Sequence, residues 1–137
     1  MALKQLSVFV ENTQGSMYRI TSVLSDNGID IRALSVADTQ NYGILRLIVS
    51  DVQLARKVLT EIGCLVQETD VVCVRMADKP GQLTATLGVL ANAAIDISYL
   101  YAFLSPVNGQ AYVVIRTENT DQAESALKSA GFPLISM

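Results

Sequence analysis

Ile29-Asp30-Ile31 returns as Ile95-Asp96-Ile97, 66 positions later. Working outward from this pair, the same offset lays Gly15 on Gly81, Val8 on Val74, Val23 on Val89, Leu24 on Leu90, Leu34 on Leu100 and Gly43 on Gly109. Further along the offset becomes 68, with Ala55, Leu59 and Gly63 matching Ala123, Leu127 and Gly131. An insertion of two residues between Thr117 and Thr120 accounts for the slip. Self-similarity at a fixed period marks one supersecondary unit built twice. The chain is therefore expected to hold two small domains, residues 1–70 and 71–137.

Each repeat reads as strand, helix, strand, strand, helix, strand. Leu6, Val8 and Val10 have the two-residue period of a strand, and Gly15 breaks it. Met17, Ile20, Val23 and Leu24 follow at helical spacing and stop at Asn27-Gly28, a pair suited to a left-handed helix end. A second strand is expected over Ile29 to Ala37. Asn41-Tyr42-Gly43 and Asn108-Gly109 supply residues that tolerate positive φ, so hairpins lead into Ile44–Val49 and Ala111–Ile115. Val52, Ala55, Leu59 and Ile62 form another helical stripe closed by Gly63, matched by Ala123, Ala126, Leu127 and Ala130 before Gly131. Final strands are expected at Leu65–Thr69 and Leu134–Ser136. The order βαββαβ is the split βαβ arrangement: an α+β class of two ferredoxin-like repeats, each with an antiparallel sheet and both helices on one face. The third strands are apolar on both faces, and two helices cover only one. The repeats are expected to pack together, and the chain to form a homodimer.

Composition narrows the function. Half of the residues are apolar and 17% are charged, which supports a packed core. Net charge is −3 and the ten basic residues are scattered, so no basic stripe awaits nucleic acid. No apolar run is long enough for a membrane span and none resembles an export signal, so a cytoplasmic location is expected. Cys64 and Cys73 stand alone, without metal-ligand spacing, and read as reduced, partly buried thiols. The chain has no His and no Trp, which removes the commonest general base and any Ser-His triad. Neither a dinucleotide nor a triphosphate loop occurs. No cofactor and no catalytic residue are expected, and the chain is read as not an enzyme.

The stretch Asp78-Lys79-Pro80-Gly81-Gln82-Leu83 joins strand to helix in the second repeat. Pro80 fixes φ and Gly81 allows a sharp corner, so the free N–H groups of a helix start face outward, a setting that suits a carboxylate. Asp78 and Asp96, if the fold brings them together, offer acceptors to an ammonium group. An anion cradle beside ammonium acceptors describes an α-amino acid.

These residues resemble an ACT domain, the regulatory amino-acid-binding module of many biosynthetic enzymes. The likeness rests on Asp-x-Pro-Gly-x-Leu at 78–83, on Ile95-Asp96-Ile97 and on the βαββαβ order. The first repeat shares it through Glu11-Asn12-Thr13-Gln14-Gly15 and Gly28-Ile29-Asp30-Ile31, so the whole chain looks like a free-standing tandem ACT protein. The resemblance implies effector sites at interfaces between ACT units. By position these fall on Asn12, Gln14, Gly15, Ser16, Asp30 and Ile31, and on Asp78, Lys79, Pro80, Gly81, Gln82, Leu83, Asp96 and Ile97. Two departures stand out: Gln14 replaces the usual Pro, and Asp30 and Asp96 stand where amino-acid binders of the family often carry Asn.

Simpler roles exist for the same residues. Asp78, Asn12 or Ser16 could only cap a helix. Gly15 and Gly81 suit the turn in any domain, and Asp30 and Asp96 could be solvated strand-opening residues. Tyr99, Tyr101 and Phe103 share a strand face and read as packing. The resemblance implies a small regulatory protein that binds an amino acid or similar metabolite and signals to a partner metabolic enzyme. The alternative is a constitutive interaction subunit with no ligand of its own.

Overall fold

The computed structural model describes residues 3–11, 13–38, 42–105 and 107–136. The elements run β1 (Leu3–Glu11), α1 (Ser16–Asp26), β2 (Ile31–Asp38), β3 (Tyr42–Val49), α2 (Val52–Glu61), β4 (Leu65–Ala77), α3 (Gln82–Asn92), β5 (Tyr99–Leu104), β6 (Gln110–Arg116) and α4 (Thr120–Ser129). Two compact units emerge. One is Lys4–Thr69, and the other runs from Asp70 onward and also takes in Leu3.

In the first unit β3 lies between β1 and β2, antiparallel to both, with Leu6 and Leu34 each opposite Leu47. Leu6, Val8 and Val10 of β1 and Leu45, Leu47 and Val49 of β3 form one core with Ile20 and Leu24 of α1 and Ala55, Val58 and Leu59 of α2. Both helices thus cover the same face. The polar positions of β1 between these apolar ones are buried too, and the Gln5 amide donates to the Ser7 hydroxyl at 3.2 Å. A buried polar pair is tolerated because it is hydrogen-bonded. The second unit repeats the plan: β6 lies between β4 and β5, and Val72, Val74, Leu90, Val113, Ile115, Ala123 and Leu127 make its core.

Every helix ends in the same way. Ile29 N–H reaches the Leu24 carbonyl and Gly28 N–H the Ser25 carbonyl, and this pair of bonds recurs at Cys64/Gly63, Ile95/Ala94 and Phe132/Gly131. These are Schellman ends, which need a left-handed residue. Glycine fills that position in α1, α2 and α4, whereas α3 uses Ala94 at φ 56°.

Four expectations need correction. The last strand of repeat one and the first of repeat two are one continuous strand, β4, because no Gly or Pro interrupts residues 65–77. The strand expected at Leu134–Ser136 is a single bridge from Leu134 to Val74, flanked by Arg75 N–H to Pro133 O and Ile135 N–H to Cys73 O. Pro133 has no N–H to extend the ladder. Gly43 sits inside β3, opposite Val10 and Asp38, rather than in a positive-φ turn, and Asn41 lies outside the described residues. Asp30 and Asp96 precede β2 and β5 rather than opening them.

Candidate functional site

The two strand-to-helix corners are built alike. Gly15 (φ 84°, ψ −1°) precedes α1 and Gly81 (φ 90°, ψ −14°) precedes α3. A Cβ added at either glycine would meet nothing within 4 Å, so only the left-handed backbone, not crowding, reserves the position for glycine. The backbone bonds match as well. Thr13 N–H reaches Glu11 O and Ser16 N–H reaches Thr13 O, while Lys79 N–H reaches Ala77 O and Gln82 N–H reaches Lys79 O.

Caps separate these helices from the other two. Asp51 Oδ1 accepts from Leu54 N–H before α2 and Asn119 Oδ1 from Gln122 N–H before α4, each at 3.0 Å. Before α1 and α3 the cap position is a glycine with no side chain to offer, so the positive end of the helix dipole faces outward. The Ser16 hydroxyl pairs with Thr13 Oγ1 instead of capping. Asp78 is tied to the neighbouring hairpin through its N–H to Gly109 O at 2.8 Å. Gln14, Lys79 and Pro80 are exposed, and Asn12 lies outside the described residues.

The aspartates are elsewhere. Each corner is separated from its aspartate by an 11-residue helix, α1 or α3. At 1.5 Å per residue such a helix is about 16 Å long, so within a repeat Gly15 does not meet Asp30, nor Gly81 Asp96. Asp30 is anchored by its peptide: its N–H donates to Ser50 Oγ at 2.9 Å and its carbonyl accepts from Ser50 N–H at 3.0 Å. Its carboxylate lies 3.9 Å from Arg32 Nε and is well exposed. Asp30 and Ile31 line a shallow groove of about 580 Å³ with Tyr18, Ser22 and Asp26 of the α1 side. Ile97 packs on the second core, and Leu83 is 41% exposed at the start of α3.

What the corners do adjoin is a pair of matching clefts. The first, of about 400 Å³, lies among the end of β1 (Phe9, Val10, Glu11), the start of α1 (Ser16, Arg19), Tyr42 of β3 and the turn Ile62-Gly63-Cys64-Leu65 after α2. The second, also about 400 Å³, is lined at the corresponding positions by Arg75, Met76 and Ala77, by Gln82, by Asn108 and by Gly131-Phe132-Pro133. In the first, Arg19 Nη2 donates to the Ile62 carbonyl at 2.9 Å, which anchors the guanidinium at the carbonyl end of α2. In the second, the buried Gln110 Oε1 has no hydrogen-bond partner. Among the described residues, Ser16 and Gln82 are the ligand contacts expected from sequence that line these clefts. Arg19, Glu11, Tyr42 and Cys64 were missed because four separate segments bring them together. Comparing the repeats position by position offers one signal, since Glu11 and Arg19 face Ala77 and Ala85.

The thiols differ. Burial raises the Cys64 thiol above its ordinary pKa and Arg19 pulls it back in part. Burial alone pushes Cys73, in β4, up to about 12. The unfolded chain releases that proton near the ordinary thiol value while the folded chain keeps it. The stability tied to Cys73 is therefore complete below about pH 9 and is lost as pH climbs toward about 12. At pH 8 a disulfide-exchange reagent is expected to leave Cys73 unmodified until denaturant is added; rapid labelling of both thiols in the native protein would contradict this burial.

Among the described residues no group of three or more His, Cys, Asp or Glu could hold a metal ion, and no helix is long and apolar enough to cross a membrane.

Comparison with known proteins places this architecture. No curated protein matches the chain in sequence. A solved protein of Bacteroides thetaiotaomicron, BT0572, is 39% identical and superimposes with a TM-score of 0.93, over 98% of this chain and 92% of that one. The ligand-free regulatory subunit of aspartate kinase from Thermus thermophilus shares the fold at 16% identity and a TM-score of 0.70, covering 96% and 94% of the two chains. A structure of aspartokinase alpha and beta subunits is similar at 20% identity and a TM-score of 0.64, covering 93% and 90%. The family model for the ACT domain pair matches residues 1–132. Two βαββαβ units with matching glycine corners, read together with that match, make this chain a member of the ACT domain pair family.

Proposed function

We propose that this chain is a non-catalytic regulatory protein that binds an amino acid or similar small metabolite through its ACT units and signals to a partner metabolic enzyme. The observation that carries this reading is the pair of uncapped, glycine-cornered helix starts at Gly15 and Gly81, set beside caps on the other two helices. Outward N–H groups at a helix start suit a carboxylate. Gln14, Gly15 and Ser16 at one corner and Lys79, Gly81 and Gln82 at the other are the residues expected to face it, with Asp30 and Asp96 completing a site only when ACT units associate. Two proteins of the same fold are regulatory subunits of aspartate kinase, which supports a partner enzyme.

A cytoplasmic homodimer belongs to the same proposal. β2 is the outermost strand of its sheet, and its Leu34 and Val36 are 51% and 52% exposed. An unpaired edge with apolar side chains suits pairing with a second copy.

The test is thermal denaturation of the full chain against the twenty amino acids. At 100 times its Kd a ligand stabilises by about 2.7 kcal/mol, so at least one amino acid is expected to raise Tm by roughly 5–10 °C. A flat panel would contradict the sensor reading and favour the constitutive interaction subunit.

A further inference from the structure

We propose that the cleft of the first repeat is itself a binding site for one free α-amino acid with an apolar side chain, and that its twin in the second repeat is not. Arg19, together with the uncapped N–H groups of Met17 and Tyr18, takes the ligand's carboxylate, and Glu11 its ammonium group. This rests on the reading of the chain as an amino-acid binder and specifies where, and in which half, binding occurs.

The cleft's volume, about 400 Å³, lies within the ~300–1,000 Å³ of small-ligand pockets. Its two ionised side chains are of opposite sign, and they come from different elements: Glu11 ends β1 and Arg19 sits in the second turn of α1. A ligand of one charge would satisfy only one of them, whereas a zwitterion answers both. The hydrogen bond from Arg19 Nη2 to Ile62 O uses one donor of the guanidinium fork and anchors it, leaving its other N–H groups for a carboxylate. Phe9, Ile20 and Leu65 supply apolar walls beside Thr13 and Ser16, and Phe9 is braced against Tyr42 at a ring separation of 6.2 Å. The apolar walls suit an apolar side chain.

The second repeat supplies the comparison within one molecule. Ala77 and Ala85 stand at the positions of Glu11 and Arg19, so both charges are gone. Arg75 takes the place of Phe9, and among the described residues no carboxylate lines that cleft. The same backbone frame therefore carries a zwitterion's complement only once.

Calorimetric titration of the full chain with L-leucine and with L-phenylalanine tests this. One site per chain is expected. Arg19→Met and Glu11→Gln are each expected to weaken binding by at least about tenfold, the usual scale for a charged hydrogen bond. Arg19→Lys should recover part of the loss, and Arg75→Met should change nothing. Isocaproate and isoamylamine, which are leucine without its ammonium or its carboxylate, should bind at least about tenfold more weakly than leucine. Arg19 and Glu11 are exposed, and unchanged melting curves in ligand-free buffer verify the fold of each variant. Two equivalent sites, or leucine affinity indifferent to Arg19→Met and Glu11→Gln, would overturn the cleft assignment and leave the regulatory reading standing. Silence toward both apolar amino acids, with another amino acid raising Tm, would do the same. Silence in calorimetry and in the twenty-member thermal panel would end both.

Discussion

Leu24→Ala and Leu90→Ala are each expected to destabilise the protein by about 2–5 kcal/mol, the usual range for truncating a wholly buried leucine. Both side chains are 0% exposed, and they occupy the same position in α1 and α3. Each residue acts twice. Its side chain fills the core between helix and sheet, and its carbonyl accepts the closing N–H of the Schellman end, from Ile29 or Ile95. The substitution keeps the carbonyl but removes the apolar partner of that closing residue, so the cavity opens where the helix turns back toward the sheet. Urea unfolding followed by far-ultraviolet dichroism measures the effect. A loss below about 1 kcal/mol at either position would mean that the site collapses without a cavity, against the packing described above.

Gly15→Ala and Gly81→Ala are expected to cost roughly 0.5–1 kcal/mol each, the ~1–2 kcal/mol penalty for an L-residue in the left-handed region less the freedom that glycine has in the unfolded chain. Because space around both glycines is open, the loss comes from backbone conformation alone, and asparagine should be tolerated better than alanine. The reverse experiment exists in the same chain. Ala94 holds φ 56° where α1 has Gly28, so Ala94→Gly is expected to stabilise, by roughly 0.5 kcal/mol once the extra freedom of glycine in the unfolded chain is subtracted. Melting curves of the three variants should show two losses and one gain. Equal and negligible shifts would indicate that the corners relax out of the left-handed conformation.

The repeat made most of the fold legible. Ile29-Asp30-Ile31 and its echo set the offset, the glycines after the helices marked their ends, and apolar spacing assigned both helices to one face of each sheet. Errors arose where tertiary pairing outweighed local cues. Leu65–Ala77 reads as two strands because the repeat divides there, yet an unbroken run of pairing-competent residues continues as one. Gly43 reads as a turn residue, but it is flanked by Val10 and Asp38 in neighbouring strands and is extended. The corners themselves followed from Gly15 and Pro80-Gly81. Their surroundings did not. The aspartates lie a helix length from the corners, and the cleft beside Gly15 draws on residues as far apart as Glu11 and Leu65, which no local pattern connects.

The most direct measurement is a two-dimensional ¹H–¹⁵N NMR titration of the full chain with L-leucine. The account predicts that amide shifts concentrate at Met17 and Tyr18, where α1 leaves its N–H groups uncapped, and at Gly63 and Cys64 across the cleft. Saturating ligand that leaves those four amides unmoved would contradict it.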